Sequence, residues 1–182
     1  MLQTNFDPFP ELHTPRLLLR KLKKDDAPQL FVLRSDERVM QFIDRPRAKS
    51  VIEMEPFIEQ INENAATGNS VLWAICLKED PGTLIGTICF WHIDVDNYRT
   101  ETGYLLHPEH WRKGIMKEAI LSILDYGFNK MKLHSVEARF NPGNIASEAV
   151  LLSTGFVKEA HFRENVFYIG QFFDTVVYSR LI

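Results

Sequence analysis

Cysteine is scarce in this chain: Cys76 and Cys89 are the only two in 182 residues. Both sit inside apolar runs, where a reduced thiol behaves as a small hydrophobe, so no disulfide framework is required and a reducing, cytoplasmic setting is the simpler expectation. Long hydrophobic stretches are missing as well. No apolar run approaches the roughly 20 residues needed to cross a bilayer, and MLQTNFDPFPELHTP at the start lacks the basic and apolar regions of an export signal. Strong charge of either sign is also absent. A net charge of −3 gives no reason to expect nucleic acid as a partner, and Arg16, Arg20, Lys21, Lys23 and Lys24 read as a local, solvated strand end. Without repeats, low-complexity tracts or linkers, the chain reads as one domain over residues 13–182, preceded by a loosely ordered, Pro-containing arm over residues 1–12.

What is present is a regular alternation of periodicities. Leu17 to Leu22 reads as a strand, and Asp25-Asp26 before Ala27-Pro28 as a helix cap with proline in the first turn. That helix carries Leu30, Phe31 and Leu33 and, after a break at Ser35-Asp36, Val39 and Met40. A second helix over Val51 to Ala66 presents Ile52, Phe57, Ile58 and Ile61 on its apolar side, with Pro56 as its start or kink. Ser70 to Leu77 and Thr83 to Ile93 predict a hairpin across Glu79-Asp80-Pro81-Gly82. A strand ending near His107 follows, then a helix from Gly114, a strand over Ser135 to Phe140, and a helix closing at Gly155-Phe156. Phe162 to Tyr168 and Phe172 to Leu181 form a last hairpin turning near Gly170. An antiparallel half thus meets a parallel half at the strand ending near His107, and such a junction can splay into a crevice.

Trp111-Arg112-Lys113-Gly114 lies between that strand and the helix. The first turn of a helix exposes unpaired N–H groups that attract anions, Gly114 permits close approach, and Arg112 and Lys113 add positive charge. By itself the pattern fits a phosphate site or an ordinary helix start.

Taken with its surroundings it is more specific. WRKGIMKEA, preceded by Glu101-Thr102-Gly103-Tyr104 and followed by Asn141-Pro142-Gly143-Asn144-Ile145-Ala146-Ser147 and Gly155-Phe156, resembles the acetyl-CoA-binding core of the GCN5-related N-acetyltransferases (GNAT). Thr14-Pro15-Arg16-Leu17-Leu18-Leu19-Arg20 with Asp26, and Tyr168-Ile169-Gly170 with Asp174 and Tyr178, resemble the branch of the ribosomal-protein N-terminal acetyltransferases. The resemblance implies a single N-acetyltransferase domain of mixed α/β class. Its central sheet would have about seven strands, splayed between the fourth and fifth and flanked by about four helices, the first two walling the acceptor pocket.

It implies acetyl-CoA as co-substrate, no metal, and direct acetyl transfer to a primary amine. The acceptor would be a protein N-terminal α-amine of ribosomal type; a small amine, or no acceptor at all in an acyl-CoA-sensing module, are the alternatives. The pantetheine arm would pair with the backbone of Leu105, Leu106 and His107, and the pyrophosphate would lie over Lys113, Gly114, Ile115, Met116 and Lys117 beside Arg112. Asn144 and Ser147 would flank the coenzyme. Trp111 and Met116 depart from the general Gln/Arg-x-x-Gly-x-Gly/Ala loop, and Leu151 stands where many relatives carry a tyrosine acid.

An alkyl ammonium has a pKa of about 10 and an α-amino group about 8, so a proton must be removed before attack. Glu101 is the candidate base; a surface or backbone-ordering carboxylate is the alternative. A backbone N–H of Leu105 or Leu106 is the candidate oxyanion donor. Ser147 is either the acid for the thiolate or a coenzyme hydrogen-bonding group, and Asn144 either positions coenzyme or caps its helix. Glu164, Tyr168 and Asp174 are further candidates for acceptor contact, with Tyr178 as core. His107-x-x-His110 lacks a third metal ligand, and Cys76 lacks a basic neighbour that would activate it. A monomer and a homodimer are equally compatible with the sequence, and no membrane partner is expected.

Overall fold

Each alternating or apolar stretch becomes a strand, and each 3.6-residue stripe a helix. A computed structural model describes all 182 residues as β1 (Leu12–His13), β2 (Leu17–Arg20), α1 (Ala27–Ser35), α2 (Glu37–Met40), α3 (Met54–Ala66), β3 (Val71–Leu77), β4 (Gly86–Asp94), β5 (Arg99–Leu106), α4 (Ile115–Tyr126), β6 (Ser135–Phe140), α5 (Ile145–Ser153), β7 (Val157–Tyr168) and β8 (Gln171–Leu181). One mixed sheet runs β1-β2-β3-β4-β5-β6-β8-β7. Only β5 and β6 are parallel, which the right-handed crossover through α4 allows. The additional strand is the two-residue β1 and the additional helix the single turn α2, so the junction expected at the fourth and fifth strands lies between β5 and β6.

Strand alternation gives the sheet two apolar faces. Val71, Trp73, Ile75, Ile88 and Phe90 pack under α4, while Leu72, Ala74 and Cys76 pack under α1 and α3. Trp73 is the hub of the first face. Phe9, Phe90 and Tyr126 meet it edge-on at centroid distances of 6.3, 5.8 and 5.8 Å, and its indole N–H donates to the Pro10 carbonyl at 2.7 Å. Ser35 ends α1 and the Asp36 carboxylate caps α2 through the Arg38 N–H at 2.8 Å, which explains the break in the periodicity.

Four expectations need correction. The first twelve residues are not a loose arm: Leu2 and Phe6 are buried in the main core, and the Gln3 N–H donates to the Met131 carbonyl at 2.8 Å. An extended segment sends in single apolar residues without a period, so no pattern announced it. Arg20 is not solvated but 3% exposed, gripping Asp26 through two hydrogen bonds of 2.7 and 2.8 Å. Asp26 consequently does not cap α1 with its side chain; it accepts from Arg20 and from the Lys23 N–H. Ile52 is 81% exposed, because it falls in a 3-10 turn before α3 starts.

Candidate active site

The pairing of β5 with β6 covers only Arg99↔Ser135, Thr100↔Val136 and Glu101↔Glu137. Beyond Glu101 the strands diverge, while β5 stays paired to β4 as far as Leu106. The His107 N–H donates to Ile85 across that pairing at 2.8 Å. Because backbone groups of successive residues point to opposite edges of a strand, the N–H groups of Leu106 and Tyr104 turn toward the splay. The Leu106 carbonyl is occupied by the Trp111 indole N–H at 2.8 Å. The opening is a crevice of about 840 Å³, a size typical of small-molecule sites.

At one end of the crevice stands α4. Its N-cap Gly114 has φ 74, and Arg112 has φ 59. Two left-handed residues around Lys113 curl the backbone so that amide hydrogens face one side, a geometry suited to oxyanions, and the helix adds its own free N–H groups. A β-carbon at Gly114 would be strained by its φ and would lie 3.4 Å from the Arg16 guanidinium. That guanidinium donates to the Lys113 carbonyl at 2.9 Å and pairs with Glu118 at 2.7 Å, while Thr14 donates to Glu118 at 2.5 Å. Burial opposes ionisation of Glu118, but the bonds from Thr14 and Arg16 outweigh it and hold the carboxyl below its usual range. The N-terminal Thr-Pro-Arg segment therefore fixes the loop from behind. Met116 is 8% exposed and packs into the core while bordering the crevice.

At the other end stands α5. Asn141 accepts from the Gly143 N–H at 2.8 Å, and Asn144 caps the helix by accepting from the Ser147 N–H at 3.1 Å. This cap brings the Ser147 hydroxyl to the crevice wall beside Tyr104. Burial pushes the Tyr104 phenol up to about 12, with the Ser147 hydroxyl pulling the other way. The two do not form a well-directed hydrogen bond, and the Tyr104 hydroxyl, sealed from solvent, has no partner. The lining includes Arg38, Arg112, Lys117 and Arg139 and no carboxylate. Gly155, at φ 85, and the Phe156 N–H, bonded to the Leu151 carbonyl at 3.1 Å, close α5.

Glu101 faces the opposite way. Strand alternation sets it with Cys89 and Trp91 on the α1 and α3 face, where it is 8% exposed. A β-bulge gives His92 a φ of 48 and swings its Nδ1 to 3.3 Å from the Glu101 carboxylate; Arg139 Nε lies 3.9 Å from it and 3.0 Å from Glu137. Burial raises the Glu101 pKa, and His92 and Arg139 restrain that rise. A solvated surface carboxylate is thus ruled out for Glu101.

Of the predicted coenzyme residues, Leu105, Leu106, Arg112, Gly114, Ile115, Met116, Lys117, Asn144 and Ser147 line the single crevice. His107 and Lys113 stand beside it, and Glu101 lies behind β5. Of the first two expected helices, the part beyond the break at Ser35-Asp36, now α2, reaches the crevice with the chain after it through Arg38, Val39, Gln41, Phe42 and Ile43, while α1 and α3 do not line it. Glu164, Tyr168 and Asp174 are away from the crevice. Asp174 accepts from the Glu164 N–H at 2.8 Å and from His161 at 2.6 Å, ordering the β7 bulge, and Tyr178 is core. His107 accepts from the Glu109 N–H and meets His110 edge-on, serving the turn before α4. Burial raises Cys76 to about 11 and Cys89 to about 12, which makes both poor nucleophiles. Sequence reasoning missed Tyr104, His92 and Arg139. Polar ends at alternate positions of β5 and β6 were the only sign of Tyr104 and Arg139, and nothing in the sequence marked the bulge that turns His92 of β4 toward Glu101.

A mixed sheet parted beside a cationic helix N-terminus, with free strand amides inside the gap, is the architecture of the acyltransferases that handle phosphorylated thioesters. The comparisons narrow this. The acetyltransferase (GNAT) domain profile matches residues 16–157, and the chain belongs to that family; it is an N-acetyltransferase. The uncharacterized N-acetyltransferase p20 of Bacillus licheniformis is 35% identical over 170 residues, which cover 93% of this chain and 95% of the relative. A GNAT-family acetyltransferase structure from Bacillus anthracis is 27% identical, with a TM-score of 0.82 over 94% of this chain and 98% of that one. RimL, a ribosomal L7/L12 α-N-protein acetyltransferase in complex with coenzyme A, shares the fold at 20% identity and TM-score 0.86, over 95% and 98% of the two chains. Spermidine N-acetyltransferase from Vibrio cholerae, in complex with coenzyme A and spermine, shares it at 24% and 0.80, over 92% and 96%. No helix is long and apolar enough to cross a membrane.

Proposed function

We propose that the chain transfers the acetyl group of acetyl-CoA directly to the α-amine of a protein N-terminus, of the ribosomal-protein type. The observation that carries the reading is the position of Glu101: a buried carboxylate of raised pKa at the apex of the splay, on the face opposite the coenzyme wall. The pyrophosphate lies on the amides from Lys113 to Lys117, and the pantetheine enters beside Leu106 with its thioester near the apex. The amine arrives from the α2 side and loses its proton to Glu101, directly or through water, because only the neutral amine attacks. The oxyanion is held by a β5 N–H that is left free of β4 and faces the splay, that of Tyr104 or Leu106. The resemblance of Thr14 to Arg20 and of Tyr168 to Asp174 to the ribosomal-protein branch supports a peptide terminus over a polyamine.

Isotopically labelled acetyl-CoA, presented with N-terminal peptides, ribosomal proteins and small amines and read by mass spectrometry, tests this. Label on peptide α-amines is the expected result. Label confined to small amines would overturn the acceptor assignment while keeping the chemistry.

A further inference from the structure

We infer that Tyr104 holds the Ser147 hydroxyl as a hydrogen-bond donor aimed at the coenzyme sulfur, making Tyr104 a positioning residue for the leaving thiolate. The inference rests on the coenzyme reading above. The Tyr104 hydroxyl is sealed from solvent without a partner, although its ring borders the crevice. Folded proteins seldom keep a buried hydroxyl unpaired, and phenylalanine would fill the same space, so packing alone does not account for the phenol. Its polar neighbour is Ser147, whose backbone N–H is already taken by Asn144 while its hydroxyl stays uncommitted on the same wall. Position 151, farther along the same helix, is a fully buried leucine and supplies no proton or hydrogen bond.

Tyr104 acts as a donor and not as an acid. A phenol pushed up to about 12 stays protonated where a thiol of ordinary pKa, about 8.5, is ionised, so handing its proton to the thiolate would be uphill. When the tetrahedral intermediate collapses, the C–S bond breaks and its electron pair stays on sulfur. The Ser147 O–H donates to that sulfur and Tyr104 O–H donates to Ser147 Oγ; both keep their protons. Water protonates the thiolate once the coenzyme leaves.

Calorimetric binding of coenzyme A and of desulfo-coenzyme A at about pH 10, where the coenzyme thiol, less acidic than a cysteine side chain, is substantially ionised, tests the inference without needing an acceptor. Wild type is expected to prefer coenzyme A by roughly tenfold, the scale of a hydrogen bond to a charged group. Tyr104→Phe and Ser147→Ala should each shrink that preference to about twofold, and the double variant should shrink it no further, as for two residues acting in series. Desulfo-coenzyme A affinity and melting temperature should be unchanged throughout. Equal binding of both compounds by wild type would overturn the inference. So would a Tyr104→Phe variant that keeps the preference, or one that weakens both compounds alike. Failure of wild type to bind either compound would instead remove the coenzyme reading itself.

Discussion

The two faces of β5 handle charge in opposite ways. On the α1 and α3 face, Glu101, Glu137, His92 and Arg139 form a chain of paired ionisable groups. On the crevice face, Tyr104 and Ser147 are neutral hydroxyls, and the full charges in the lining are all positive: Arg38, Arg112, Lys117 and Arg139, the last shared with the other face. One strand separates the two environments, and its two-residue period alone assigns each side chain to its face. On the proposed reading, a single extended segment gives the proton acceptor and the leaving-group site different local surroundings, with the reacting carbonyl between them.

The comparison is broken most severely by Glu101→Gln. If Glu101 is the base, kcat/KM should fall by roughly 10²–10⁴-fold with acetyl-CoA affinity unchanged in a direct titration; an unchanged rate would end the assignment. Gly114→Ala touches only the other face. Forcing a β-carbon onto a φ of 74 should weaken coenzyme binding by roughly tenfold, from the strain expected at such a position, and leave the pH profile of kcat alone. Arg139→Ala sharpens the contrast by pH. Its positive charge favours ionised Glu101, so its removal must raise a pKa that burial already holds above the ordinary carboxylate range. The acidic limb of kcat/KM should therefore move to higher pH, with the loss of rate confined to the acidic side of the profile. A limb moving the other way would show that Arg139 does not act on the base.

Much of this was legible before any coordinates. Gly114 announces its conformation because few residue types tolerate a φ of 74, the Asn-Pro-Gly-Asn turn because both asparagines offer side-chain oxygens to nearby amides, and the crossover strand follows from the order of elements. The pairing of Arg20 with Asp26 was not legible, since the sequence shows five basic residues together and not which of them meets a buried acid. Leu2 and Phe6 left no period to detect. The role of His92 depends on a bulge that turns it out of the strand alternation, and Tyr104 looked like any aromatic in a strand until its hydroxyl proved to be unpartnered.

The bond from the Arg16 backbone to Glu118 spans 102 positions in sequence. Local contacts form early in folding, whereas closing so long a loop is slow and entropically unfavourable. The loop before α4, which the proposed reading assigns to the coenzyme, is therefore expected to take its final shape only after α4 has coiled, when the opening strands return to it. Coenzyme affinity is then a late marker of maturation, and a refolding experiment that follows ligand capture should lag one that follows helix content.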